Sequence, residues 1–496
     1  MTKLIARFQR KPLFLFLLPL FFILHNLLEN YQASLVPTAL ELTLIFTAIA
    51  AGLAIIFRLF LITWVQAYLL SFYLMAFNFF FGSTHDFLKK NLGGIFFTRY
   101  LFIIPALIIS VIALIIYFRR TKKDFKTFIL FLNCLILLFI AIDTASIPSL
   151  TLNYSEVKIA DIRKEFTACD TCKKPDIYLI IGDEYAGDQT LRDIFNFDNS
   201  PFEKELEQRG FHIIKGTKSN YNATVFSMAS LFGMGYIQNL RDSVVSHFDM
   251  FACRSIIKKN NFQDFLNKNE YTVYNFSTFD FGNKKNLIRT PFFITKKDYF
   301  LAQTFTGRFF ARVWFNFVNK KELATWGKIH HENNMKILQA AEGTFLSNTT
   351  SPKFVYIHLE LPHRPYYFDK NGKETQLEKF GDLARDDQAA YIEYLQYGNK
   401  KFLELIDHIK KDSKELPIIM LMSDHGYRQF NDQKPNPYHF INMNAVFMPK
   451  GSYSGFTDSL TSVNQLRVLL NIQFNQKLPI LKDSVFFIKE PRIVLN

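Results

Sequence analysis

The chain has 496 residues and a formal net charge of +14, from 58 Lys and Arg against 44 Asp and Glu. Residues 1–150 hold 13 basic and 5 acidic side chains, a net of +8, so the remaining residues carry only +6. This modest excess is accompanied by no basic and aromatic stripe, which argues against nucleic acid as a partner. The length suffices for a membrane anchor and one large domain.

Five apolar segments near the N-terminus approach the roughly 20 helical residues needed to cross a hydrocarbon core of about 30 Å. We predict spans near Pro12–Leu28, Leu40–Phe57, Leu59–Phe81, Tyr100–Phe118 and Thr127–Pro148. The first follows a basic N-terminus, as a signal peptide would, but no small-residue cleavage site follows it, so we expect it to be retained. The sequence thus predicts an all-α transmembrane domain of five helices over 1–149 and a linker over 150–174.

The basic flanks of these spans predict their orientation. The N-terminal cluster of Lys3, Arg7, Arg10 and Lys11 and the basic loop 119–126 are both expected in the cytoplasm, with four spans between them. The fifth span then exports everything that follows. We therefore predict a multi-pass protein of a bacterial cytoplasmic membrane, with its larger domain on the extracytoplasmic side.

Short apolar runs alternate with helical patterns beyond the linker. Asp176–Ile181, Phe354–His358 and Pro417–Met422 are predicted strands, and apolar residues spaced three or four apart predict a helix before Pro417. Such alternation is typical of a sheet covered by helices. We predict an α/β domain with a central, mostly parallel sheet over 175–496.

The cysteines are consistent with an exported domain. Cys169 and Cys172 form a C-x-x-C pair between membrane and sheet, and a local disulfide is the favoured interpretation outside the cytoplasm. A zinc knuckle would need a second ligand pair at matching spacing, which the sequence lacks. Cys134 falls inside the fifth predicted span, and Cys253 stands alone.

Polar side chains follow two of the predicted strands at the point where each strand ends. Gly182-Asp183-Glu184 follows the first run, and Ser423-Asp424-His425-Gly426 follows the last. Parallel strands deliver residues at their carboxyl ends to a crevice where ligands bind. Carboxylate and imidazole groups suit zinc or manganese, with magnesium also compatible, so we predict a divalent metal site.

A hydroxyl-bearing stretch lies between these two groups. Thr224 begins a helix-like segment, where it could be a nucleophile, a helix cap or both, and Ser227 is the alternative nucleophile. His363, beside prolines in a loop, is a further site candidate. His358, on a predicted strand, is expected to be packed or to support a ligand indirectly. The remaining histidines considered, His85, His247, His330 and His331, are expected on the surface or in loops.

These residues, in this order, carry a family resemblance. Asp183-Glu184, Thr224 within N-x-T-x-x-S-x-x-S-L, His358-x4-His363 and Ser423-Asp424-His425-Gly resemble the sulfatase-like branch of the alkaline phosphatase superfamily. With five membrane spans ahead of the domain, the chain resembles in particular the membrane phosphoethanolamine transferases and the lipoteichoic acid synthases. The resemblance covers about 175–480 by motif, and the membrane half only by architecture.

The resemblance implies roles for individual residues. The metal ligands would be Asp183, Glu184, Asp424 and His425, and Thr224 would be both a ligand and the nucleophile. His363 and His439 would bind a second metal or handle the leaving group. The C/S-x-P-x-R motif of sulfatases is missing around Thr224, which disfavours sulfatase activity. This region also differs from that of typical phosphoethanolamine transferases, which leaves the transferred group open.

The function implied by the resemblance is a metal-dependent transfer of phosphoethanolamine or phosphoglycerol. The donor would be a phospholipid of the bilayer, the intermediate a phosphothreonine, and the acceptor an envelope glycan or glycolipid. Three alternatives stay open: a phosphodiesterase or phosphatase that gives the group to water, an inactive sulfatase-fold module that binds an envelope polymer, and a function residing in the membrane helices.

Overall fold

The structure is a computed structural model, and it describes residues 8–29, 35–92, 96–153, 156–167, 169, 171–240, 244–289, 294–310, 322–345, 351–375, 387–430 and 436–490. Lys3 and Arg7 of the N-terminal basic cluster lie outside these residues. The described chain divides into two compact units. The first takes its residues from 1–155 and 293–320, and the second from 156–292 and 321–492.

The first unit is built mainly from five helices. They are α1 (Leu13–Glu29), α2 (Val36–Arg58), α3 (Trp64–Leu92), α4 (Tyr100–Arg120) and α5 (Lys126–Asn153). Helix α1 packs against α2, α3 and α5, and α2 packs against α3. Four of them are long and apolar enough to cross a membrane, judged by length and composition: Val36–Arg58, Trp64–Asn91, Tyr100–Arg120 and Lys126–Ile147.

Two of the predicted spans differ in detail from the helices. Helix α1 is apolar but has 17 residues, a length of about 26 Å, so its assignment as a fifth span stays a prediction. The third span, predicted near Leu59–Phe81, corresponds to α3, which starts only at Trp64. A turn intervenes, in which the Thr63 N–H donates to Gln66 Oε1 (3.1 Å) and the Gln66 N–H donates to Thr63 Oγ1 (3.3 Å).

The segment 294–310, inside the predicted α/β domain by sequence, packs against the helices of the first unit. It forms α11 (Lys296–Leu301) and α12 (Phe305–Phe309). The Arg308 guanidinium donates to both carboxylate oxygens of Asp86 (2.6 and 2.7 Å). The Gly82 N–H donates to Gln303 O (2.9 Å), and a Cβ at Gly82 would lie 2.5 Å from that oxygen. Only glycine permits this close approach.

The second unit is a six-stranded sheet with helices around it. Its strands are β1 (Ile177–Gly182), β2 (His212–Ile213), β3 (Thr272–Phe276), β4 (Lys353–Leu359), β5 (Ile418–Ser423) and β6 (Asn444–Phe447). Its helices are α6 (Asp188–Phe195), α7 (Ser200–Gln208), α8 (Thr224–Gly233), α9 (His247–Lys258), α10 (Asn261–Lys268), α13 (Glu322–Phe345), α14 (Gln388–Asp412) and α15 (Ser462–Phe474).

The strand order is β2-β6-β5-β1-β4-β3. Strands β5, β1, β4 and β3 run parallel, whereas β6 pairs antiparallel with both β5 and β2. The central strands are buried on both faces, which explains why their sequences read as continuous apolar runs. The predicted fold class, a helical N-terminal part followed by an α/β domain with a mostly parallel sheet, is confirmed.

The register of the three middle strands positions the site. Ile181 on β1 lies beside His358 on β4 and beside Met422 on β5. Side chains alternate between the two faces of a strand, and neighbours in register share a face. This alternation predicts that His358 shares its face of the sheet with Asp183 and Asp424, which follow two residues after Ile181 and Met422.

The linker carries the predicted disulfide. Cys169 and Cys172 are bonded to each other, as the C-x-x-C pattern predicted. Cys253 is a buried free thiol on α9, and Cys134 is a free thiol on α5. Helix α14 covers the sheet through buried Leu395, Phe402 and Ile406, which matches the predicted helical spacing.

Candidate active site

Three residues from the carboxyl ends of neighbouring strands converge at one edge of the sheet. Asp183 follows β1, His358 is the penultimate residue of β4, and Asp424 follows β5. One ligand atom from each lies within 4.8 Å of the others. The backbone anchors two of them, because the Asp183 N–H donates to Leu359 O (3.0 Å) and the Glu184 N–H donates to Asp424 Oδ1 (3.0 Å).

The atoms that face one another in this triad lack hydrogen-bond donors. Asp183 Oδ1, Asp424 Oδ2 and His358 Nε2 are buried and have no hydrogen-bond partner in the part of the chain that the structure describes. Buried polar atoms are normally paired, and buried carboxylates normally face a cation. Two carboxylates and an imidazole are ligands that zinc and manganese accept, so the triad fits a divalent metal ion.

His425 lies next to the triad and faces Thr224. Its Nδ1 donates to Gly426 O (2.8 Å), since a carbonyl oxygen can only accept. In the neutral ring Nε2 then carries the lone pair. This atom lies 3.2 Å from Asp424 Oδ2, 3.9 Å from Asp183 Oδ1 and 3.2 Å from Thr224 Oγ1. A backbone carbonyl that fixes the tautomer in this way is common for histidines that bind metals.

Burial shifts the protonation of the triad. It raises the pKa of Asp183 well above its ordinary value, and the charges of Asp424 and Glu184 raise that pKa further. Burial acts in the same direction on Asp424. His425 and His358, together with hydrogen bonds from the Glu184 N–H and the Thr224 hydroxyl, outweigh burial and lower the pKa of Asp424. Burial also lowers the pKa of His358 to about 4. His358 is therefore neutral at neutral pH, the form in which imidazole binds metals.

Thr224 is the first residue of α8, and the structure brings its hydroxyl to the site. The residue before it, Ala223, provides no side-chain cap for the helix. The first N–H groups of α8 therefore lie beside Thr224 without a competing side chain, in the region of positive helix potential. Ser227, the alternative nucleophile, instead donates its hydroxyl to Tyr221 O (2.5 Å).

The Glu184 carboxylate and the Asp183 carboxylate have different partners. Glu184 has φ +61° and is completely buried. Its Oε1 accepts from the Arg428 N–H (2.9 Å), and both of its oxygens accept from Gln429 Nε2. These bonds hold the Glu184 carboxylate against Arg428 and Gln429, and Glu184 is not a member of the triad. Its role as a ligand stays a prediction.

His363 lies on the side of Glu184. Its Nε2 is 3.7 Å from Glu184 Oε2, and its Nδ1 donates to Arg364 O (2.5 Å). Burial is the main cause that lowers the pKa of His363 well below its ordinary value, so the ring is a neutral base. His330 stacks on it, with ring centroids 6.1 Å apart, and lies 3.4 Å from Glu360 Oε2.

Two histidines expected at the surface are buried, so that prediction was wrong for them. His330 is 1% exposed on α13 because its ring packs beside His363. His85 is 2% exposed on α3, where its Nε2 is 2.8 Å from Thr98 O.

His439 reaches the site through its backbone. Its carbonyl accepts from the Gly426 N–H (2.9 Å), while its ring packs against Phe430 and Phe487, with centroids 5.2 and 5.4 Å away. The ring of His439 is not a member of the triad, and its predicted metal role stays a prediction. The approach also explains Gly426, at which a Cβ would lie 2.3 Å from Tyr438 O.

Comparisons with known proteins identify structural neighbours only. No protein-family model matches the chain, and no curated protein matches it. Among solved structures, the chain is similar to the C-terminal periplasmic domain of EcEptC from Escherichia coli in complex with zinc. That match has 10% identity and a TM-score of 0.40, and it covers 69% of this chain and 94% of that one.

Two further solved structures are similar to the chain. The soluble domain of lipooligosaccharide phosphoethanolamine transferase A from Neisseria meningitidis matches at 11% identity and a TM-score of 0.38, covering 62% of this chain and 90% of that one. A putative sulfatase from Bacteroides fragilis matches at 11% identity and a TM-score of 0.37, covering 64% and 78%. At this similarity the function has to be argued from the site itself.

Proposed function

We propose that this protein is a membrane-anchored, metal-dependent transferase that moves a phospholipid head group through a phosphothreonine on Thr224. The single observation that carries the proposal is the position of Thr224 Oγ1, 3.2 Å from His425 Nε2 and next to a triad of metal-ligand type. A hydroxyl at a helix start beside carboxylates and imidazoles is an arrangement suited to nucleophilic attack on phosphorus.

The ligands of the metal would be Asp183, His358, Asp424 and His425. A divalent cation held by them would lower the pKa of the threonine hydroxyl and offset the negative charge of the phosphate oxygens. The protein itself fixes these ligands before substrate binds, through the backbone bonds to Asp183 and Asp424 and the carbonyl that holds His425. Preorganisation of this kind avoids reorganisation during the reaction.

The proposed reaction has two halves. In the first, Thr224 Oγ1 forms a bond to phosphorus, the bond from phosphorus to the diacylglycerol oxygen breaks, and the threonine proton ends on that oxygen. In the second, a hydroxyl oxygen of the acceptor forms a bond to phosphorus, the bond from phosphorus to Thr224 Oγ1 breaks, and the proton that the acceptor loses ends on Oγ1. His363, a neutral base beside Glu184, is our candidate to take the acceptor's proton. The N–H groups of the first turn of α8 would bind phosphate oxygens in both halves.

The head group would be phosphoethanolamine or phosphoglycerol, and the acceptor an envelope glycan or glycolipid. Helices capable of crossing a membrane support a lipid donor, because they keep the second unit tethered to the bilayer that contains it. The Cys169–Cys172 disulfide supports an extracytoplasmic location, where disulfides persist. We propose the bacterial cytoplasmic membrane, with zinc or manganese as the metal.

The test is a rapid-quench labelling experiment with the full-length protein in lipid. A phospholipid labelled in its head group should place the label on the peptide that contains Thr224, and Thr224→Ala should retain metal but lose several orders of magnitude in turnover. Ser227→Ala is the matched control and should keep most activity. Label on Ser227, or full turnover in Thr224→Ala, would refute the mechanism.

The same experiment separates the alternatives. Release of the head group to water, with no gain from any added glycan or glycolipid, would identify a hydrolase of the same fold. No turnover of any phosphoester by protein with its metal bound would favour the inactive module that binds an envelope polymer.

A further inference from the structure

The C-terminal chain of the second unit is held by a series of asparagine side chains. The pairs are Asn471 with Leu478, Asn464 with Leu481, Asn220 with Ser484 and Asn222 with Ile488. In three of them the amide both donates to the backbone carbonyl and accepts from the backbone N–H of the same residue. The first two asparagines lie on α15, and the last two lie in the loop that leads to Thr224.

The pair nearest the site joins Asn222 to Ile488. Asn222 Nδ2 donates to Ile488 O (3.0 Å), and the Ile488 N–H donates to Asn222 Oδ1 (2.6 Å). Both residues are buried, so these bonds satisfy backbone groups that water does not reach. The Phe486 N–H also donates to Asn220 O (2.8 Å). The loop that ends two residues before α8 is thus bonded to residues 486–488 through both backbone and side chain.

The same stretch of chain contacts the loops that follow the metal ligands. Glu490 pairs with Arg428 (Nη1 to Oε2, 2.7 Å), and the Arg428 backbone in turn donates to Glu184. The ring of Phe487 packs against the ring of His439. Phe487, Ile488 and Glu490 therefore contact three separate loops of the candidate active site. These loops contain His439, Asn222 and Arg428, respectively.

We propose that residues 484–490 are a structural part of the active site, and that Asn222 is a positioning residue for Thr224. This inference rests on the proposed function, in which Thr224 is the nucleophile. Without the Asn222 amide, the loop would lose two buried bonds directly before the helix start that carries the hydroxyl. A displacement of about 1 Å at a reacting atom can cost about 100-fold in rate.

The test compares two asparagines that make the same pair of bonds. Asn222→Ala and Asn471→Ala each remove an amide that binds one backbone residue in both directions, but only Asn222 lies beside Thr224. We expect Asn222→Ala to lower kcat for labelling of Thr224 by roughly 100-fold, with KM for the donor and bound metal unchanged. Asn471→Ala should stay within about twofold of wild type. Amide exchange at residues 223–227 should accelerate in Asn222→Ala alone.

The outcomes separate this inference from the proposed function. Wild-type protein that turns over lipid without label on Thr224 refutes the proposed function. If wild type is labelled on Thr224 but Asn222→Ala keeps the wild-type kcat, the inference is overturned and the proposed function stands. The same holds if Asn222→Ala and Asn471→Ala lose kcat equally. If Asn222→Ala does not fold, Glu490→Gln replaces it. Glu205→Gln is the control, since Glu205 pairs with Arg209, whose other carboxylate partner is Asp407 and not a site residue. Glu490→Gln should lower kcat, and Glu490→Asp should restore part of it. No loss in Glu490→Gln would overturn the inference.

Discussion

The triad of Asp183, His358 and Asp424 should make the metal-free protein less stable than a variant that lacks one carboxylate. Two ionised carboxylates whose oxygens lie within 4.8 Å repel by about 3.5 kcal/mol at an effective dielectric constant of about 20. Protonation relieves part of this, because the pKa of Asp183 is raised. We expect Asp183→Asn to stabilise the metal-free protein by about 1–3 kcal/mol, which raises its thermal midpoint by several degrees.

The metal-bound protein should show the opposite order. Wild type should gain about 2.7 kcal/mol when free metal reaches 100 times its dissociation constant, and Asp183→Asn should gain almost nothing. The assay is thermal unfolding in detergent with chelator, then with zinc or manganese, with Glu393→Gln on the exposed face of α14 as control.

The pH dependence of the stability of the metal-free protein tests the same reasoning. A carboxyl whose folded pKa is raised costs stability only above its ordinary pKa of about 4. The advantage of Asp183→Asn should therefore be present at neutral pH and vanish below about pH 4. A metal-free Asp183→Asn variant that is less stable than wild type at pH 7 would refute the reasoning.

Further predictions concern the support of the site, the disulfide and the orientation. Tyr356→Phe removes the hydroxyl 2.8 Å from His358 Nδ1 and should weaken metal binding about 10–100-fold in a metal titration, whereas Tyr394→Phe should not. Reduction of Cys169–Cys172, or the substitution Cys172→Ser, should lower the free energy of unfolding by about 2 kcal/mol for so short a loop. The unfolding midpoint should fall in both cases, and reductant should not lower it further in Cys172→Ser. A reporter fused after residue 155 should be active only outside the cytoplasm, and cytoplasmic activity would overturn the proposed envelope function.

The features that could be predicted from the sequence are those that depend on a local pattern of residues. The apolar runs of β1, β4 and β5 identify strands because both faces are buried, and the residues that end β1 and β5 identify the ligand edge because parallel strands share it. The disulfide follows from a spacing of three residues. Each of these signals lies within a few residues of the feature that it predicts.

The rest depends on pairing between distant parts of the chain. His358 could be recognised as a partner of Asp183 only from the register that places it beside Ile181. The direction of the Glu184 side chain depends on donors at Arg428 and Gln429, more than 240 residues away. Nothing local marks Asn222 as the partner of Ile488.

The return of α11 and α12 to the helical unit affects how the protein can be cut for study. A soluble fragment that starts after α5 would still contain Arg308, but without Asp86 to accept its two hydrogen bonds. It would also contain Phe305, whose ring packs against Phe77 and Phe81 of α3 in the intact chain. Secretion of a fragment that starts after α5 is therefore expected to yield aggregates unless the apolar side chains of residues 294–310 are replaced by polar ones.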